Sequence, residues 1–126
     1  MAKGTAEQCG VVEECYELML AYAAKGLPRE GSGPGAEIRP VLERVAEAIG
    51  GLLGAGPSEG GTGEDPPHRL RDFLAVVDRD ARDSLAAIEV VLAQPVISSQ
   101  LVDNLNASIH LRALLTDLFL LGDVLK

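Results

Sequence analysis

Aromatic side chains are scarce in this chain, which has two Phe, two Tyr and no Trp among its 126 residues. Its apolar content must therefore come from Leu, Val, Ile and Ala, which leaves aliphatic side chains to form the core. Ala- and Glu-rich segments favour helices, and the alternation of β-branched residues that is typical of strands is almost absent. The sequence predicts an all-α fold.

Long apolar runs are also missing. No run reaches the roughly 18 uninterrupted apolar residues that a membrane-spanning helix needs. The first residues, MAKGTAEQCG, lack the apolar stretch of a signal peptide. We therefore expect a cytoplasmic protein with no membrane partner, in which the two Cys are reduced.

Basic residues are outnumbered, with 11 Lys and Arg against 19 Asp and Glu, for a net charge of −8. A field of that sign repels the phosphate backbone of nucleic acids and anionic lipid surfaces. No nucleic-acid partner is expected. The sequence also lacks a Gly-rich phosphate loop, a C-x-x-C-H haem motif and a recognisable catalytic triad motif, so neither a cofactor nor catalytic residues are predicted.

Helical signals divide the chain into four segments. The first opens with a capping-box pattern at Thr5 and Gln8 and is stopped by Gly26 and Pro28. The second begins near Arg39, the third begins after Asp65 as N-cap, and the fourth is capped by Ser98 or Ser99 and continues to the end. Residues 1–126 are thus predicted to form one helical-bundle domain, with a flexible Gly/Pro-rich loop at about 54–66.

The predicted architecture is a four-helix bundle with up-down-up-down topology and a longer C-terminal helical hairpin. Its last helix has apolar residues in two directions, and one bundle core needs only one of them. We expect the second stripe to form an interface, in a homodimer or a higher oligomer. There are two alternatives: the chain's own fold buries this stripe, or a different partner protein covers it. The stripe consists of Leu111, Leu114, Leu115, Leu118, Leu121 and Leu125.

Polar residues interrupt the first apolar direction of the same helix. Arg112 falls where a bundle favours Leu, and Asn104, Ser108 and Thr116 lie within a few residues of it. A buried Arg must be paired. This polar belt is predicted either to fix the register between helices or subunits, or to line a small-ligand or anion pocket. Extension of the Arg112 side chain to the surface is the remaining alternative.

Glu13, Glu14 and Glu17 form the densest acidic cluster, in the stretch VEECYEL. Carboxylates three or four residues apart on a helix are weak candidates for metal ligands. The stretch resembles the E-x-x-E helix of all-α nucleotide pyrophosphohydrolases, with the sequence DARD at 80–83 as a second acidic pair. That resemblance implies metal-dependent nucleotide hydrolysis. On a helical wheel, however, Glu13 and Glu17 lie opposite the apolar stripe of this helix, as expected of a solvated face.

The two Cys are six residues apart, which on one helix excludes a disulfide between them. Cys15 is predicted to be a small core residue, and Cys9, near the helix start, is the better candidate for a reactive thiol. Together these features favour a non-enzymatic, self-associating helical bundle that acts as an adaptor, an assembly or chaperone-like factor, or a regulatory subunit. The alternative is a ligand- or metal-dependent bundle that hydrolyses nucleotides through the Glu cluster.

Overall fold

A computed structural model describes residues 3–29, 38–53 and 68–124. Within these ranges the chain is helical and has no strand, which confirms the all-α prediction. The described residues form five helices instead of the predicted four. They are α1 (Lys3–Ala24), α2 (Ile38–Leu52), α3 (His68–Leu92), α4 (Ser99–Ala107) and α5 (His110–Val124). The predicted loop at 54–66, the predicted cap Asp65 and the chain's last two residues lie outside the described residues.

Helix α1 ends, and helix α2 begins, close to the predicted residues. Helix α1 ends at Ala24, and Gly26 follows with a φ of 67°, the left-handed conformation that glycine adopts without a steric penalty. Helix α2 starts at Ile38, which places Pro40 in the first turn, where a missing N–H costs no helical hydrogen bond. The predicted capping box is wrong, because α1 already begins at Lys3 and Thr5 lies inside the helix.

Helices α1 and α2 pack against each other in opposite directions. The side chain of Gln8, near the start of α1, lies directly beside Gly51 at the end of α2. In the middle of both helices, Arg44 and Glu14 form an ion pair at 3.7 Å. The helices bury Val12, Cys15, Met19, Val41, Leu42, Val45 and Ile49. Burial of Cys15 confirms its prediction as a core residue.

The C-terminus of α3 lies beside the N-terminus of α2. Arg39 in the first turn of α2 donates hydrogen bonds to the carbonyl oxygens of Leu92 and Gln94, at 3.0 and 3.1 Å. Leu92 is the last residue of α3 and Gln94 lies just beyond it, so neither carbonyl has an N–H partner within the helix. Arg39 therefore caps α3 and connects the second helix to the third.

The predicted fourth helix is interrupted, which is the main difference from the sequence-based expectation. Helix α4 starts as predicted after the cap Ser98, whose hydroxyl accepts from the N–H of Leu101 at 3.0 Å. It ends after Ala107, where the hydroxyl of Ser108 donates to the carbonyl of Leu105 at 2.6 Å. Ile109 then adopts a φ of 62°. Asn and Ser, which bond to nearby backbone groups and weaken helices, occupy three of positions 104–108.

This break changes which side of the last segment faces the core. On one straight helix the apolar residues would point in two directions, but after the turn at Ile109 both sets face inward. Val102 and Leu105 of α4 are buried, and so are five of the six leucines that were predicted to form an interface. These five are Leu111, Leu114, Leu115, Leu118 and Leu121, each at most 5% exposed. Burial by the chain's own fold, the first alternative, is therefore correct for them, and Leu125 lies outside the described residues.

Two substitutions test the left-handed backbone positions. Ile109 is β-branched, 60% exposed and has a positive φ, a combination that costs about 1–2 kcal/mol relative to glycine. Ile109→Gly is expected to raise the free energy of unfolding by about 1 kcal/mol, because strain is removed and little burial is lost. Gly26→Ala introduces the same strain and should lower the free energy of unfolding by a similar amount. Urea denaturation followed by circular dichroism measures both, and a destabilised Ile109→Gly protein would contradict the assigned conformation.

Candidate functional site

The acidic cluster on α1 lies on the outside of the molecule. Glu13, Glu14 and Glu17 are all exposed, and Glu14 is engaged with Arg44 of α2. In the part of the chain that the structure describes, no three His, Cys, Asp or Glu side chains come together as a metal site would require. The cluster therefore has the solvated position that its place on the helical wheel indicates.

The predicted polar belt does not lie in the core. Arg112, Asn104 and Thr116 are exposed, and only Ser108 is half-buried. Each hydroxyl or amide bonds within its own helical turn: Thr116 donates to the carbonyl of Arg112 at 2.9 Å, and Asn104 accepts from Gln100 at 3.2 Å. The prediction of a buried, paired Arg112 is wrong, because the break after α4 turns this side of α5 to solvent.

The two thiols lie along one helix. Cys9 is half-buried in the seventh position of α1, and burial together with the nearby carboxylate of Glu13 raises its pKa. A raised pKa leaves less thiolate at neutral pH, which lowers nucleophilicity. Burial also raises the pKa of Cys15. The helix-start argument for a reactive Cys9 is thus offset by its surroundings.

Asp80 of α3 and Asp117 of α5 form a pair of carboxyl groups. Their spacing along the sequence does not predict this pairing. Burial, followed by a hydrogen bond and charge repulsion from Asp80, raises the pKa of Asp117 from 3.8 to about 7. Both residues are half-buried, and Oδ2 of Asp117 is shielded from solvent and has no hydrogen-bond partner among the residues that the structure describes. Two neighbouring carboxyl groups share one proton more readily than they ionise together. The raised pKa of Asp117 therefore favours its protonated form up to about pH 7.

Ser99 forms a buried polar joint between the end of α1 and the start of α4. Its hydroxyl donates to the carbonyl of Tyr22 at 2.7 Å and accepts from the N–H of Leu27 at 2.9 Å, while its own N–H donates to the carbonyl of Leu27 at 2.8 Å. The hydroxyl of Tyr22 donates to the carbonyl of Ile97 at 2.5 Å. An open cavity of about 530 Å³ adjoins this joint. It is lined by Ala23, Gly26, Leu27, Pro28, Ser98, Ser99, Gln100 and Asp103.

The solvent side of α5 is unusually apolar for an exposed helix. Phe119 is 48% exposed, Leu120 50% and Val124 61%. Large apolar side chains grouped on the solvent side of a helix are typical of a surface that meets another protein. We call this surface the outer face of α5, and it consists of Arg112, Thr116, Phe119, Leu120, Asp123 and Val124.

Two buried serines provide a matched test of the polar joint. Ser99 and Ser84 are each 1% exposed, but the Ser99 hydroxyl both donates and accepts a hydrogen bond, whereas the Ser84 hydroxyl has no hydrogen-bond partner among the described residues. Ser99→Ala should destabilise the protein by about 2 kcal/mol, because it leaves the N–H of Leu27 unsatisfied. Ser84→Ala should be neutral or stabilising, because it removes an unbonded polar group. Equal losses for the two variants in urea denaturation would contradict this assignment.

The carboxyl pair predicts a pH dependence of stability. The raised pKa of Asp117 means that the folded chain retains a proton that the unfolded chain releases, so stability should fall as pH rises from about 4 to about 7. Asp117→Asn should remove this loss. At pH 8, where solvent screening of the half-buried group limits the effect, we expect a gain of about 1 kcal/mol, or a Tm higher by roughly 4 °C.

Thermal unfolding of both proteins between pH 4 and pH 8 measures the effect, with Asp83→Asn as the control at an exposed position of α3. The Tm difference between Asp117→Asn and the wild type should grow with pH, whereas the control should show no such growth. A Tm difference that stays constant across this range would contradict a shared proton.

Comparison with family models, with curated proteins and with solved structures found no match to this chain. In the part of the chain that the structure describes, no helix is long and apolar enough to cross a membrane. The surfaces of the molecule itself are therefore the basis for a functional proposal. Among them, the outer face of α5 has the clearest chemical character.

Proposed function

We propose that this protein is a non-enzymatic helical bundle that self-associates through the outer face of α5 and acts as an adaptor, an assembly or chaperone-like factor, or a regulatory subunit. The observation that supports this proposal is the exposure of Phe119, Leu120 and Val124 on the solvent side of one helix, where Leu120 and Val124 are neighbours four residues apart. Covering such side chains gains roughly 1.5–3 kcal/mol for each one that becomes fully buried.

The proposed contact surface differs from the one expected from the sequence. The five buried leucines of α5 fill the core of the chain itself, so they are not available to a second molecule in this fold. The residues on the opposite side of the same helix are exposed and include the aromatic Phe119. Aromatic side chains are enriched at protein interfaces because they bury a large area with few rotatable bonds.

The bundle topology is also part of the proposal. We propose that α4 and α5 together occupy the fourth position of an up-down-up-down bundle. The antiparallel packing of α1 and α2 supports it, as does the contact between the start of α2 and the end of α3. So does the joint at Ser99, which places the start of α4 beside the end of α1. A cytoplasmic location is consistent with two free thiols.

Sedimentation velocity and light scattering test self-association directly. The wild-type chain, with a monomer mass of 13.2 kDa, should show a weight-average mass that rises with concentration. Phe119→Glu should shift the protein to monomer, because it places a charge in the middle of the apolar surface. Val90→Glu is the matched control, since Val90 is an exposed apolar residue of α3, 63% exposed, outside this face.

The control variant should associate like the wild type, and circular dichroism should show that both variants retain the helical content of the parent. A wild-type mass that stays at the monomer value up to millimolar concentration would contradict self-association. Equal dissociation by both variants would contradict the assignment of the contact to α5.

A further inference from the structure

The outer face of α5 has a spacing that suits pairing with a second helix. Arg112, Thr116, Phe119 and Asp123 follow one another at intervals of four, three and four residues. All four side chains are exposed. Residues at alternating intervals of three and four lie along one side of a helix. We call this line of four residues the seam, and Phe119 is its apolar member. Leu120 and Val124 extend the apolar surface along one side of this seam.

The four seam positions are symmetric about the midpoint between positions 117 and 118. If a second copy of α5 runs in the opposite direction about a two-fold axis through that point, each Arg112 faces an Asp123. Each Phe119 then faces a Thr116. Such a contact uses the same surface on both protomers, as a closed two-fold dimer requires.

Charge selects this orientation over the parallel one. A parallel pair would place Arg112 against Arg112 and Asp123 against Asp123, which repel each other. The antiparallel pair places a cation against an anion at both ends of the seam. Asp123 also interacts within its own chain, and a carboxylate with two oxygens can accept from a second donor.

The size of the surface sets the expected strength. Helix α5 has 15 residues and is about 22 Å long. A contact confined to one face of a helix of this length is small beside the roughly 800 Å² per partner of a stable complex. Each protomer also has a net charge of −8, which opposes association at low salt. A weak, concentration-dependent dimer is expected.

We infer that the occupant of the outer face of α5 is the α5 helix of a second copy, packed antiparallel with Arg112 of each protomer against Asp123 of the other. This inference rests on the proposed self-association and adds its geometry. It identifies Phe119 as the apolar centre of the contact and the two charged residues as the determinants of register.

A charge-swap cycle tests the register by sedimentation equilibrium. Arg112→Asp and Asp123→Arg each place like charges together at both ends of the seam, and each should weaken dimerisation by about tenfold in Kd. The double variant Arg112→Asp/Asp123→Arg restores opposite charges and should recover the wild-type Kd to within about threefold. Arg79→Asp, at an exposed position of α3, controls for the change in net charge.

The same measurements at 1 M NaCl provide a second readout. Salt at this concentration shortens the Debye length to about 3 Å, so the Kd values of the single variants and the double variant should converge. In a parallel dimer the single variants would leave the number of repulsive pairs unchanged and would not weaken association.

The outcomes separate this geometry from self-association itself. If the wild type dimerises and Phe119→Glu is monomeric, but the double variant fails to recover, the antiparallel register is overturned and the proposed function stands. If the single variants associate as well as the wild type, the register is likewise overturned. If the wild type is monomeric at every concentration, the face does not bind a second copy and both proposals fall.

Discussion

The hydrogen bond from Ser108 to the carbonyl of Leu105, together with the left-handed backbone of Ile109, redirects the last helix of the fold. A continuous helix would present two apolar stripes that no single core could cover. The change of direction brings the leucines of α5 and the apolar residues of α4 onto the same core. It also determines what remains outside, because the side of α5 opposite its leucines contains Phe119 and Arg112.

A second set of constraints lies at the other end of the molecule. Ser99 and Tyr22 bond across the joint of α1 and α4, and Arg39 caps α3 from α2. These contacts satisfy backbone groups that helix ends would otherwise leave without partners. The core between the helices is aliphatic and offers little directional preference, so these polar contacts specify which helix ends meet.

Much of the helical pattern was predictable because its signals are local. The stop at Gly26, the place of Pro40 in a first turn and the cap Ser98 depend on a few neighbouring residues each. The break at Ile109 was not predictable, since a β-branched residue is a poor candidate for a positive φ. Because of this break, Arg112 is exposed and five leucines of α5 are buried. The pairing of Asp80 with Asp117 depends on the packing of α3 against α5, which spacing along the chain does not reveal.

The carboxyl pair gives the contact between α3 and α5 a property that the aliphatic core lacks. Ionisation of Asp117 costs free energy only while the two helices remain packed, so a rise in pH weakens this one contact and leaves the joint at Ser99 unaffected. Local opening follows the weakest contact first. A rise in pH should therefore speed the exchange of the amide hydrogens of α5 more than that of the amide hydrogens of α1.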